Sequence, residues 1–147
     1  MKRLDLQKSN LSPNFIGSWM IESPSLCDSL IDYFESHQEM HKKGLTGAGI
    51  DLDTKNSTDI RMTPNKIKLP GNEVFKEYFY NLFDCHKDYL LQWPFLTGIA
   101  KNLEIGLFNL QRYQSGEHFQ KLHSERTNLA SLHRVLAWMT YLNDVDE

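Results

Sequence analysis

Apolar and polar residues alternate with helical spacing in two stretches of the chain. Residues 23–43 place their apolar and aromatic positions on one stripe of an α-helix, at i, i+4, i+7, i+8 and i+11. These positions are Leu26, Leu30, Tyr33, Phe34 and His37. Ser23 is a candidate N-cap, and Pro24 suits the first helical position. Residues 72–92 predict a second helix with a wider apolar face, capped by Asn72 and ended by Pro94.

Beyond the second helix the spacing of apolar residues changes to two, which is typical of β-strands. Residues 103–113 and 134–143 each predict a long strand, and residues 57–62 predict a short one. The glycine-rich stretch 44–56 predicts a loop. Because the helices precede the long strands, the order indicates an α+β fold in which helices pack on the outside of an antiparallel sheet.

The strand predicted at 103–113 has two unlike faces. Asn109, Gln111 and Tyr113 alternate with Phe108 and Leu110, so the polar and apolar groups lie on opposite sides. A polar face without charge suits the lining of a ligand cavity. The ordinary alternative is a strand with one solvent-facing side.

Bulk composition limits the partners and the compartment. A chain of 147 residues is long enough for one domain with its own core. The net charge of -3 argues against nucleic acid or an anionic membrane as a partner. No apolar run approaches the length of a membrane span, and the N-terminus lacks the apolar core of a secretory signal. Two cysteines far apart, Cys27 and Cys85, indicate a reducing compartment, the cytoplasm.

His123 and Glu125 form a candidate metal-binding pair. On an extended backbone, side chains at i and i+2 point to the same side, so an imidazole nitrogen and a carboxylate oxygen can meet one ion. Two histidines and one carboxylate make up the facial triad of non-haem Fe(II) oxygenases. A solvated surface pair is the alternative. His118 and His133 compete as ligands, but a zinc site built from them and His123 lacks the usual ligand spacing.

The order of motifs around this pair is more specific than the pair itself. The chain contains "YQSGEHFQKLHSE" at 113–125 and then "RVLAWMTYLNDV" at 134–145. Over about residues 103–147 this series resembles the Fe(II)- and 2-oxoglutarate-dependent dioxygenases, in particular the prolyl 4-hydroxylase-like group. Their pattern is a tyrosine, a glycine, an aromatic, H-x-D, an arginine-led apolar strand and YLN.

The resemblance implies a fold and a role for four residues. N-terminal helices would pack on an antiparallel jelly-roll barrel (a double-stranded β-helix), in one domain over 1–147. Residues 1–100 would be mainly helical support, and 101–147 would hold the first barrel strands. His123 and Glu125 would ligate iron, Tyr113 would line the cavity beside the co-substrate, and Tyr141 would donate its hydroxyl to the distal carboxylate of 2-oxoglutarate.

The resemblance also implies a reaction. The expected activity is hydroxylation of a peptide or protein side chain, with proline as one candidate, or of a small molecule. Fe(II) and 2-oxoglutarate would be the cofactors, and ascorbate can accompany them. The alternative is a non-catalytic jelly-roll module that binds a ligand on its polar face.

The sequence departs from the family pattern at two points. Glu125 stands where the family usually has Asp, which moves the carboxylate by about one C–C bond, roughly 1.5 Å. The family's second metal histidine and its basic co-substrate residue follow YLN at a distance that this chain does not reach. We therefore expect these 147 residues to be the N-terminal part of a longer protein.

Overall fold

The computed structural model describes residues 1–6, 15–100, 102–126 and 128–144. The helices are α1 Pro24–Ser36, α2 Pro64–Ile67, α3 Glu73–Gln92 and α4 Leu96–Ile99, with a 3-10 turn at Gln38–Met40. The strands are β1 Lys2–Leu4, β2 Ser18–Met20, β3 Lys42–Lys43, β4 Lys55–Asn56, β5 Thr58–Met62, β6 Phe108–Arg112 and β7 His118–Phe119. No helix in these ranges is both long enough and apolar enough to cross a bilayer.

The strands form three small antiparallel sheets. β1 pairs with β2, β5 lies between β3 and β6, and β4 pairs with β7. The β5–β6 ladder is the longest, with five residues in register on each strand. It places Ile60 opposite Leu110 and Met62 opposite Phe108, so that one face of this sheet is apolar.

Helix α1 begins at Pro24 as the sequence predicts, but it ends at Ser36 instead of residue 43. Two histidines explain the early end. His37 donates from Nδ1 to the carbonyl of Tyr33 at 2.8 Å, and His41 donates from Nε2 to the carbonyl of Phe34 at 2.8 Å. Carbonyls in the last turn of a helix have no partner within the helix, so these rings satisfy them and turn the chain toward β3.

The main core lies between helices α1 and α3 and the apolar face of β5 and β6. Its buried members are Leu26, Leu30, Tyr33, Phe34, Ile60, Met62, Phe75, Tyr78 and Phe79. A smaller cluster at the end of α3 contains Tyr89, Trp93 and Leu96, with Trp19 packed against it. The predicted helix over 72–92 is confirmed, because α3 spans Glu73–Gln92 and buries its aromatic face in the core.

The predicted jelly-roll barrel is wrong for the part of the chain that the structure describes. Three separate antiparallel sheets of two or three strands stand where a closed barrel was expected, so the fold is a mixed helix and sheet arrangement. Of the strand predicted at 103–113, only Phe108–Arg112 forms. The strand predicted at 134–143 is absent, because no described strand hydrogen-bonds with this segment.

Residues 134–143 are held to the core by side chains instead. Trp138 donates from Nε1 to the hydroxyl of Tyr78 at 3.1 Å, and the Thr140 hydroxyl lies 2.7 Å from the same oxygen. The indole ring packs edgewise on Phe79, and Leu142 contacts the main core. Trp138, Thr140 and Leu142 therefore face the core, whereas Met139 and Tyr141 between them are exposed.

Replacement of Tyr78 with phenylalanine is expected to lower the free energy of unfolding by about 1–2 kcal/mol. The change keeps the buried ring but leaves the Trp138 indole nitrogen and the Thr140 hydroxyl without their shared partner. Urea denaturation followed by circular dichroism measures the effect. Tyr80→Phe is the matched control, because the Tyr80 side chain on the same helix is 62% exposed. Equal stability of both variants would contradict the proposed anchor.

Candidate metal site

The face of the β5–β6 ladder opposite the core carries polar side chains. Asp59 lies opposite Gln111, and Arg61 lies opposite Asn109. Residues in register on neighbouring strands project to the same side, so these four side chains share one face. The prediction that Asn109 and Gln111 share a polar face is confirmed. The structure adds two charged residues to it that the sequence did not single out.

A buried ion pair lies at one end of this polar face. The ammonium of Lys55 is 2.8 Å from Oδ2 of Asp59, and both residues are almost fully buried. Asp59 also accepts hydrogen bonds from the Ser57 hydroxyl at 2.8 Å and from the Gln111 amide at 3.0 Å. The carboxylate is thus fully satisfied, which is what burial of a charge requires.

Tyr113 follows β6 beside this ion pair. Its hydroxyl is hydrogen-bonded to Ser57, and its side chain is half-exposed. Partial burial raises the pKa of the phenol above 10.0, and the negative charge of Asp59 raises it further. Tyr113 is therefore neutral at physiological pH.

The structure brings His123 and Glu125 together, as the i, i+2 spacing predicts. His123 Nε2 lies 3.4 Å from Glu125 Oε1. His123 Nδ1 is 3.0 Å from the carbonyl of Lys121. Because a carbonyl only accepts hydrogen bonds, Nδ1 carries a hydrogen, and Nε2 is the ring nitrogen that faces the carboxylate.

The distance between these two atoms can be compared with that between two ligands of one ion. Two donor atoms each about 2.1 Å from one ion and at a right angle stand about 3 Å apart, and the observed distance is 3.4 Å. One imidazole nitrogen and one carboxylate oxygen are ligand types of non-haem Fe(II) sites and of other divalent metal sites. The pair therefore fits two of the three protein ligands of a non-haem iron site.

Neighbouring side chains fix both members of the pair. The His123 ring stacks on Phe119, with 4.5 Å between centroids and 26° between the planes. Arg134 Nη1 contacts the other carboxylate oxygen, Oε2 of Glu125, at 2.6 Å. Only Oε1 of Glu125 then remains for an ion. Both side chains of the pair are nearly half exposed, so an ion would reach them from solvent.

The other candidate ligands lie apart from this pair. His118 donates from Nε2 to the carbonyl of Asp53 at 3.2 Å, which ties it to the backbone. Among residues 1–6, 15–100, 102–126 and 128–144, no three His, Cys, Asp or Glu side chains come together as a metal cluster. The alternative zinc site with His118 and His133 therefore does not form there. Cys27 and Cys85 are free thiols.

Tyr141 is not brought to the other predicted site residues. Its side chain is 76% exposed, and within the described residues no hydrogen bond or ring contact joins it to Tyr113 or His123. Met139, on the same side of this segment, is also 76% exposed. The opposite face, with Trp138 and Thr140, binds the core, which explains why Tyr141 points outward.

Comparison of the chain with protein-family models, with curated proteins and with solved structures found no match in any of the three.

Proposed function

We propose that this chain carries part of the iron site of an Fe(II)- and 2-oxoglutarate-dependent dioxygenase. The observation that supports this proposal best is the 3.4 Å approach of His123 Nε2 to Glu125 Oε1, with Nδ1 of the same ring held by a carbonyl. A second bond that fixes the imidazole tautomer and its orientation is a general feature of metal-binding histidines.

Each residue has a distinct part in the proposed chemistry. His123 and Glu125 would hold the iron through Nε2 and Oε1. Bound Fe(II) with 2-oxoglutarate supplies the oxidising power for hydroxylation of a C–H bond. Tyr113 would line the cavity beside the co-substrate. Tyr141, with its hydroxyl exposed, is the proposed partner of the distal carboxylate.

The proposed substrate is a peptide or protein side chain, with proline as one candidate, or a small molecule. The proposed compartment is the cytoplasm, in keeping with two free cysteines. The third iron ligand and a basic partner for the co-substrate are not assigned to any described residue. Within the described part of the chain, the proposed site thus consists of two of the three protein ligands.

Replacement of His123 with alanine is expected to raise the Kd for Co(II), used as an air-stable substitute for Fe(II), by about tenfold or more. The loss of Nε2 removes one of the two proposed ligands. The Glu125 carboxylate then remains as the other ligand, and it is still paired with Arg134. Titration followed by visible absorption measures the Kd. His133→Ala is the matched control and should keep the wild-type Kd. An unchanged Kd in His123→Ala would contradict the proposed ligand.

One contact favours a second candidate function, a non-catalytic ligand-binding domain. The ion pair between Arg134 and Glu125 at 2.6 Å neutralises the carboxylate without a metal. The variant Arg134→Gln separates the two functions. If the chain carries part of an oxygenase site, the variant removes the Arg134 cation that competes with a metal for Glu125, and Co(II) should bind more tightly. In the binding domain Glu125 is structural, and Arg134→Gln should lower stability without producing a metal site.

A further inference from the structure

The buried ion pair of Lys55 and Asp59 lies where two separate sheets meet. Lys55 belongs to β4, which pairs with β7, and Asp59 belongs to β5 in the three-stranded sheet. Residues 55–59 connect the two sheets directly along the chain. The 2.8 Å contact between the ammonium and the carboxylate therefore fixes the turn from one sheet into the other.

One branch of contacts leads from this ion pair to His123. Lys55 lies directly opposite Phe119 in the β4–β7 ladder, and its ammonium stands 5.6 Å from the centre of the Phe119 ring. Phe119 in turn stacks on the ring of His123, with 4.5 Å between the ring centroids. The position of the imidazole thus depends on the position of Phe119, which the Lys55 side chain supports.

A second branch leads from the ion pair to Tyr113. The Ser57 hydroxyl donates to Asp59 and is hydrogen-bonded to the Tyr113 hydroxyl. Gln111, two residues before Tyr113, donates to the same carboxylate at 3.0 Å. Asp59 therefore holds both the strand that leads to Tyr113 and the hydroxyl that contacts its phenol.

The chain is packed closely around this cluster. A Cβ atom at Gly44 would lie 2.2 Å from the Ser57 hydroxyl oxygen and 2.8 Å from Cε of Lys55. Gly44 also donates its backbone N–H to the carbonyl of Ser57 at 2.9 Å. The absence of a side chain at this position lets the backbone cover the ion pair and hold its two flanking side chains in place.

We propose that the Lys55–Asp59 ion pair is a positioning element that holds His123 and Tyr113 in a fixed relation to each other. It does so through Phe119 on one side and Ser57 on the other. The inference rests on the proposed function for the roles of the two positioned residues. The contacts that carry it do not depend on that function.

Single replacements of a buried ion pair leave one charge unpaired and can prevent folding. The test therefore uses the double variant Lys55→Met/Asp59→Leu, which removes both charges and keeps apolar volume. Two properties are measured: the NMR spectrum of the His123 imidazole, whose ring protons are shifted by the stacked Phe119 ring, and the Kd for Co(II). We expect the His123 signals to lose the ring-current shift that Phe119 imposes and the Kd to rise by about tenfold or more, as for other lost supports of a metal ligand.

Two further variants separate positioning from a general loss of stability. Lys55→Arg keeps the cation over Phe119 and should retain both the wild-type spectrum and the wild-type Kd. Arg3 on β1 and Asp88 on α3 form another ion pair at 2.8 Å, which is partly exposed and provides a second double variant, Arg3→Met/Asp88→Leu. This variant removes an ion pair between β1 and α3 and should change neither property.

The outcomes distinguish this inference from the proposed function. If the wild-type chain binds no Co(II), the proposed function fails, and the imidazole spectrum alone decides the positioning role. If Lys55→Met/Asp59→Leu keeps the wild-type His123 spectrum, the positioning role is overturned whatever the metal does. A rise in Kd with an unchanged spectrum also overturns it, because the affinity for Co(II) would then have fallen without any change at the His123 ring.

Discussion

Replacement of Asp59 with alanine is expected to lower the free energy of unfolding by about 3–5 kcal/mol. The change leaves the Lys55 ammonium, whose residue is 3% exposed, without its hydrogen-bond acceptor. It also removes the acceptor for Ser57 and Gln111. An unpaired buried charge is costly because the low-dielectric interior cannot replace its hydration. Guanidinium denaturation followed by circular dichroism measures the loss.

The double variant Lys55→Met/Asp59→Leu provides the control for Asp59→Ala. With both charges gone, no ion is left buried, and more than half of the lost stability should return. The two sites are in direct contact, so their effects should be strongly non-additive. A double variant as unstable as the sum of its single variants would show that packing around Gly44, and not charge, determines stability at this cluster.

Replacement of Phe75 with alanine is also expected to cost about 3–5 kcal/mol in the free energy of unfolding. Phe75 is 1% exposed and sits on α3 at the centre of the main core. Its ring packs edgewise on Tyr33 of α1 at 4.8 Å and on Phe108 of β6 at 5.8 Å. Removal of the ring therefore opens a cavity between both helices and the sheet. Thermal and urea unfolding measure the change.

Phe83→Ala is the matched control for the core variant. Phe83 lies on the same helix, but its side chain is 44% exposed and borders a surface groove. Truncation there should cost about 1 kcal/mol or less, since little apolar area is lost from the core. Similar losses for Phe75→Ala and Phe83→Ala would mean that the core does not centre on Phe75.

The candidate site combines a locally determined pair with supports from distant parts of the chain. His123 and Glu125 are two residues apart, so their approach requires only an extended backbone. The Lys121 carbonyl that fixes the imidazole is equally local. Arg134 and Phe119 complete the surroundings of the pair. A metal at this position would have to displace or share the Arg134 contact, and the Arg134→Gln titration measures that competition.

Several features of the fold could be predicted from the sequence because they depend on neighbours along the chain. Pro24 starts α1, and the spacing of aromatic residues places α3 over Glu73–Gln92. The alternation at 108–112 separates the two faces of β6. The i, i+2 spacing brings His123 and Glu125 together. Each of these follows from the geometry of a helix or an extended strand over a few residues.

Other features were decided only by contacts between distant segments. The outward position of Tyr141 depends on the bonds of Trp138 and Thr140 to Tyr78, which lies 60 and 62 residues away in the chain. The burial of Asp59 depends on Gln111, 52 residues away. Residues 134–143 have the alternation of a strand, yet they form none in the described structure, because a strand requires a hydrogen-bonding neighbour that periodicity cannot supply. The sequence thus determined which residues of a segment share a side. The tertiary structure determined which side meets the core, since backbone pairing and charge burial depend on residues far away in the chain.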